Sequence, residues 1–248
     1  MPEITVQGIG KSFGPPGTGA AALENVSFSA RPGEFVCIVG PSGCGKTTLL
    51  KIIGDLATAT QGSVRIGSLS PQQARREGVF SWVFQTPVLL PWRDLIRNVA
   101  LPLEIQKGRR ARDPEALLQL VGLKGFEHHR PAQLSGGMQQ RAALARALTF
   151  YPQILLMDEP FAAVDEFTRT ALNVELLRIC REVEVNVLFV THSIAEAVFL
   201  ADRIIVLSRR PGTVKAIVEV PLPRPRDNSI RASQDFREIA QCVESNIS

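Results

Sequence analysis

The chain has 248 residues, 45% of them apolar and 21% charged, an ordinary balance for a soluble globular protein with a substantial core. Its 28 basic and 24 acidic side chains leave a net charge of +4, too small an excess to argue for nucleic acid. No apolar run approaches the roughly 20 residues that span a bilayer, no basic-then-apolar leader opens the chain, and Cys37, Cys44, Cys180 and Cys242 lack C-x-x-C spacing, so the expectation is a reduced, cytoplasmic setting.

Ile4-Thr5-Val6 and the alternating run Val26 to Ala30 read as strands with one buried face, separated by a flexible segment from Gly14 to Ala22. Phe13 stands just before that segment. Its ring either stacks on a nucleotide base or half-buries at a strand end. Arg31-Pro32-Gly33 is a turn into the apolar run Phe35 to Val39, which delivers Gly40-Pro41-Ser42-Gly43-Cys44-Gly45-Lys46-Thr47-Thr48 and then the helical Leu49 to Ile53. Strand, glycine loop and helix start together make this G-x-x-x-x-G-K-[ST] pattern a phosphate cradle. Backbone N–H groups converge on the phosphates, and the helix N-terminus adds partial positive charge. Lys46 is expected to reach the outer phosphates and the Thr47 hydroxyl to hold magnesium.

Gly62 to Gly67 reads as a short strand and Val79 to Phe84 as a stronger one, ending at Gln85, where open α/β sheets place their chemistry. The loop Thr86 to Asp94 carries Val88, Leu89, Leu90 and Trp92, an apolar load that either packs under the core or offers a partner site. The basic stretch Lys107 to Arg112 reads as a solvated loop. A helical block follows: Leu95 to Leu103, a helix opened by Asp113-Pro114 and closed by Gly122, and Ser135 to Leu148, with Met138, Ala142, Ala145 and Leu148 on one stripe. Ser135, Gly136 and Gly137 leave N–H groups free at a helix start, a second anion cradle in a chain that needs one.

Ile154 to Met157 then delivers Asp158, placed to hold magnesium through water, and Glu159, placed to polarise a water for attack on the terminal phosphate. Asp165 lies in the next turn, before an amphipathic helix from Glu166 to Arg181. Val187 to Val190 is another buried strand, and His192 at its end is expected to face the nucleotide. Ile204 to Leu207 and Val214 to Val220 close the sheet around Arg210-Pro211-Gly212, and a short helix spans about Ala232 to Val243.

These motifs together resemble the ATP-binding subunit of the ABC transporter family over about the first 220 residues. Gly40 to Thr48 resembles its Walker A loop, Gln85 its Q-loop, Leu134 to Arg141 its signature motif, Ile154 to Glu159 its Walker B strand, Asp165 its D-loop and His192 its switch histidine. Phe13 stands where the family more often has a tyrosine stacked on adenine. Pro91-Trp92-Arg93, Met138 to Ala142 and the run Asp158 to Arg169 are similar to the nitrate, sulfonate and taurine importer branch.

The resemblance implies a P-loop NTPase, RecA-like α/β fold: a mainly parallel sheet core, an N-terminal antiparallel β subdomain and an inserted α-helical subdomain. One cassette would cover residues 1–220, with the core at about 1–88 and 152–220, the helical subdomain at 89–151, and a tail of unassigned role at 221–248. It also implies ATP and Mg2+ as cofactors, and catalytic roles for Lys46, Gln85, Glu159 and His192. Thr47, Asp158 and Gln85 would surround the metal. Nucleotide would be bound by Phe13, Gly40 to Thr48, and, from a second copy packed head to tail, Ser135, Gly136, Gly137 and Asp165. The implied partners are that second copy, integral-membrane permease subunits at the cytoplasmic face of the inner membrane, and, indirectly, an extracytoplasmic substrate-binding protein, with no nucleic acid. A soluble ABC-type ATPase acting on nucleic acid or ribosomes is the alternative, though such proteins carry tandem cassettes or a coiled-coil insertion and this chain has no sustained heptads.

Overall fold

The computed structural model describes residues 1–14 and 19–247. Strands β1 (Ile4–Phe13) and β2 (Ala20–Ala30) pair antiparallel. They are longer than the sequence suggests because irregularities between Val6 and Ile9, with Gly8 at φ +57°, interrupt the alternation that marks a strand. Of the expected flexible segment Gly14 to Ala22, Ala20 to Ala22 belong to β2. Ala20 and Ala21 already pair with Phe13 and Ser12, and residues 15–18 lie outside the described residues.

After β3 (Phe35–Val39), α1 (Lys46–Ile53) leaves from the phosphate loop and β4 (Gln61–Ile66) joins β1 to complete a three-stranded antiparallel sheet. Helix α2 (Pro71–Glu77), opened by a capping box of Ser70 and Gln73, leads to β5 (Phe80–Val83). The helical block is α3 (Leu95–Ile105), α4 (Pro114–Leu120) and α5 (Gly136–Ala147). Asp94, Asp113 and Ser135 cap these helices by accepting from backbone N–H groups of the first turn. Ala142, Ala145 and Leu148 are buried along one stripe, with Met138 packed against it.

The chain returns to the core through β6 (Ile154–Asp158), α6 (Glu166–Val183), β7 (Asn186–Val190), α7 (Ile194–Leu200), β8 (Arg203–Leu207) and β9 (Val214–Glu219). The larger sheet has the order β5-β6-β7-β3-β8-β9, parallel except for β9. Residues 35–39, 187–190 and 204–207 are buried throughout, as expected for parallel strands covered on both faces. The strand ends at Val39, Asp158 and Val190 therefore meet at one edge, where helices cannot cover them.

The segment after residue 220 is part of this body. Leu222, Phe236 and Val243 are buried, and α8 (Gln234–Ile247) packs on α7, β8 and β9. Its helix begins and ends later than the expected Ala232 to Val243. Among the described residues, no helix is long and apolar enough to cross a membrane.

Candidate functional site

The phosphate loop is held open from below by close backbone packing. A Cβ on Gly45, at φ +105°, would lie 2.6 Å from Leu23 Cδ2, and one on Gly212 would lie 2.2 Å from the Cys44 carbonyl oxygen. Glycine is thus required both in the loop and in the strand connection that supports it. Arg210, two residues earlier, donates from Nε to the Ala21 carbonyl at 2.9 Å. Together with Phe13, Ser42, Lys46, Thr47 and Glu159, it lines a polar cavity of ≈ 400 Å³ over the loop.

Lys46 is almost fully buried, and its Nζ donates to the carbonyls of Gly40 (2.8 Å) and Pro41 (3.0 Å). The ammonium is therefore held at the cavity floor. Phe13 stands at the other side, 51% exposed, with Lys11 Nζ 5.2 Å from its ring centre. As the last residue of β1 it is a half-exposed strand-end ring that also lines the cavity, so both expectations for it stand.

Asp158 ends β6, and its Oδ1 accepts from the Thr47 hydroxyl at 2.9 Å. Burial pushes the Asp158 carboxyl up, the Thr47 hydroxyl opposes that shift, and the adjacent Glu159 charge raises it further. A hydroxyl and a carboxylate brought this close are an oxygen donor pair suited to a hard divalent cation, so Thr47 and Asp158 fit magnesium. Among the described residues, no group of three His, Cys, Asp or Glu could hold a metal; phosphate and water oxygens can complete the shell of an ion at Thr47 and Asp158. The backbone carbonyl of Gln85 accepts from Gln140 Nε2 at 2.6 Å, which ties the exit of β5 to α5.

Glu159 has φ +44°, a left-handed conformation rare for a non-glycine residue, and its Oε2 lies 2.9 Å from His192 Nδ1. The two expected groups are thus brought together at the ends of adjacent strands β6 and β7. Ser135, Gly136 and Gly137 lie elsewhere. Ser135 is exposed at the start of α5, and its Oγ accepts from Met138 N at 3.3 Å. A Cβ on Gly137 would come within 3.1 Å of Thr168 Cγ2, so the starts of α5 and α6 abut. Asp165 caps α6 by accepting from Thr168 N at 3.0 Å, and Phe167 beside it is 92% exposed. The second cradle and Asp165 therefore share one exposed face, and none of them lines the cavity over the phosphate loop.

Three residues escaped the sequence reading. Asn98, fully buried in α3, donates from Nδ2 to the carbonyls of Leu90, Arg93 and Asp94 and accepts from Leu90 N at 2.7 Å. Gln140 and Arg146, on α5, hold the same loop: Gln140 takes the Gln85 carbonyl, and Arg146 takes those of Pro87 and Val88. No spacing rule announces the Gln140 and Arg146 contacts, which join residues 55 to 59 apart. They leave Val88 and Trp92 exposed, 56% and 68%, and Leu89 and Leu90 half-buried, which favours the partner-site reading of that loop.

Comparison with known proteins follows the same lines as the geometry. A phosphate loop ending a parallel strand, with carboxylates at the end of another strand of the same sheet, defines a P-loop NTPase. The ABC transporter family model matches residues 23–162. The aliphatic sulfonates import ATP-binding protein of Bacillus cereus is 39% identical over 97% of this chain and 94% of its own length. The nitrate import ATP-binding protein of Synechococcus elongatus is 40% identical over 88% of this chain and 81% of its own. Among solved structures, the dimeric post-hydrolysis state of an ATP-binding cassette bound to ADP and Pi superposes with a TM-score of 0.76 at 33% identity, over 89% of this chain and all of that one. The chain belongs to the ABC transporter family, as an ATP-binding cassette that hydrolyses ATP.

Proposed function

We propose that this cassette energises an importer for a small anionic solute of the sulfonate or nitrate kind, working as a head-to-tail homodimer under two membrane-spanning permease subunits at the cytoplasmic face of the inner membrane. The relatives named for sulfonate and nitrate import support the solute class, and the dimeric solved cassette supports the assembly. The observation that carries the reading is the separation, within one chain, of two anion cradles: the phosphate-loop cavity and the exposed Ser135 helix start, which does not line it. A second copy turned head to tail unites them. Each ATP is then held by Gly40 to Thr48 of one protomer and by Ser135, Gly136, Gly137 and Asp165 of the other.

Phe13 stacks on the base, and Lys46 neutralises charge that develops on the phosphoryl oxygens. Thr47 and Asp158 would hold magnesium, which would supply further charge neutralisation at the phosphates. Glu159 orients the attacking water and takes its proton, while His192, bonded to Glu159 in the resting chain, turns to the terminal phosphate. Gln85 responds to the same phosphate. Its backbone is tied to α5 by Gln140, so a shift there reaches both the Ser135 cradle and the loop that presents Val88 and Trp92. That loop receives the permease, and the binding protein acts on the permease from the far side.

The test is affinity capture from detergent-solubilised membranes of the native host. Recovery of an integral-membrane partner that raises ATP turnover when reconstituted with the cassette is expected. Recovery of ribosomes or DNA, with no such membrane partner, would favour the nucleic-acid-linked alternative and overturn the importer reading.

A further inference from the structure

Away from the nucleotide site, a cavity of ≈ 320 Å³ opens between α6, the start of β3 and the segment Arg224–Arg226. Its volume lies in the range of small-molecule sites. Its floor is apolar, formed by Phe35, Val174, Leu177 and the buried Cys180. Nothing in the ATPase mechanism uses it.

Its charge is unbalanced in one direction. Arg178, Arg181, Arg224 and Arg226 all line it, and no acidic residue does. Two of them are paired: Arg178 with Glu175 and Glu182, and Arg224 with Asp202, which also accepts from Phe35 N at 2.8 Å. Arg181 is exposed and makes no hydrogen bond or ion pair among the described residues. Arg226 is 5% exposed and has no acidic partner; its guanidinium donates to carbonyls, including Phe199 and Ala201 at 2.8 Å and Leu222 at 3.1 Å, while its buried Nε has no partner at all. Burial pushes this guanidinium down to about 10. The Asp202 charge that acts on Arg226 is already paired with Arg224, so the lining stays net positive over an apolar floor, and an anion with an apolar body complements it.

We propose that this cavity binds a small amphiphilic anion, an aliphatic chain carrying one sulfonate or carboxylate, with the chain against Phe35, Leu177 and Cys180 and the head group at Arg181. The site joins the C-terminal segment to β3 and α6, whose far ends carry the phosphate loop and Asp165. It therefore reports the presence of a free solute to the ATPase from outside the nucleotide cavity. The anion site itself goes beyond the importer reading; its reporting role rests on that reading.

The full-length chain, saturated with ADP so that the phosphate loop is filled, is titrated with 1-hexanesulfonate by calorimetry and thermal unfolding. Hexan-1-ol and inorganic sulfate are the controls. Saturable one-to-one binding and a raised Tm are expected for hexanesulfonate alone. Arg181→Gln, an exposed substitution, weakens that binding by about tenfold or more. Cys180→Phe fills the cavity and abolishes it; if that variant fails to fold, Arg181→Gln decides the matter. Equal binding of hexanol or sulfate, unchanged affinity in Arg181→Gln, or displacement of hexanesulfonate by ADP overturns the proposal.

Discussion

Asn98→Ala is the sharpest test of how the exposed apolar loop is held. The side chain is fully buried, and its four hydrogen bonds fasten Leu90, Arg93 and Asp94 to α3 at 2.7 to 3.2 Å. Two amide hydrogens serve three carbonyls, so the contacts amount to about three effective bonds; at about 1 kcal/mol each the loss is about 3 kcal/mol, more if the Leu90 N–H is left dry. For a chain of this size, each kcal/mol lowers Tm by about 2–4 °C, giving a fall of about 6–12 °C by calorimetry. Uptake in reconstituted vesicles should fall with it, because the loop loses its shape. ATP turnover of the soluble cassette, measured below the new Tm, should stay within about twofold, since Asn98 touches no phosphate-binding residue. A Tm change under about 2 °C would refute the idea that this amide organises the loop.

Other perturbations separate the coupling surface from the chemistry and the core. Trp92→Asp, at a residue 68% exposed, should leave Tm within about 2 °C and soluble ATPase intact while abolishing uptake; loss of both activities would mean that the ring packs the core instead. Glu196 is buried and accepts from the Thr191 hydroxyl, and burial raises its carboxyl above the ordinary value of 4.5. A raised carboxyl contributes stability below 4.5 and loses it as pH rises through the folded value. Glu196→Gln should therefore gain stability relative to the parent as pH rises from about 4 to about 8, and a constant difference across that range would contradict the assignment. Gly212→Val should cost the phosphate loop its support, because even a Cβ there meets the Cys44 carbonyl at 2.2 Å; unchanged nucleotide affinity would rule out that role.

Much of the site is legible in the sequence because each part is local chemistry. The phosphate loop carries its glycines and lysine in one run, Asp158 and Glu159 follow an apolar strand, and Ser135 announces a helix start. Fold class follows from the same alternation of buried strands and capped helices. What escapes is of two kinds. Helices α2 and α7 are short, yet both carry a cap that could have shown them: Ser70 with Gln73, and Ser193 accepting from Glu196 N at 3.3 Å. The second kind has no local trace. Gln140 and Gly212 act on backbone far along the chain, and the buried pair Glu34 and Arg203, which ties the start of β3 to β8 at 2.5 Å, joins residues 169 apart. Gln85 shows the opposite limit. Its place just after β5 is legible, but the strand exit does not say what holds it: Gln140, 55 residues further on, donates to its backbone carbonyl.

The central claim is that one ATP site is built from two chains, and the mass of the Glu159→Gln variant in solution tests it most directly. Removing the carboxylate slows hydrolysis by about 10²–10⁴ and leaves the nucleotide in place, so light scattering should give a dimer with ATP and a monomer with ADP. Adding Ser135→Arg to the same chain should return it to a monomer with ATP, although its own phosphate loop is untouched. A dimer that persists in that double variant, or a Glu159→Gln chain that stays monomeric with ATP, would contradict the shared site.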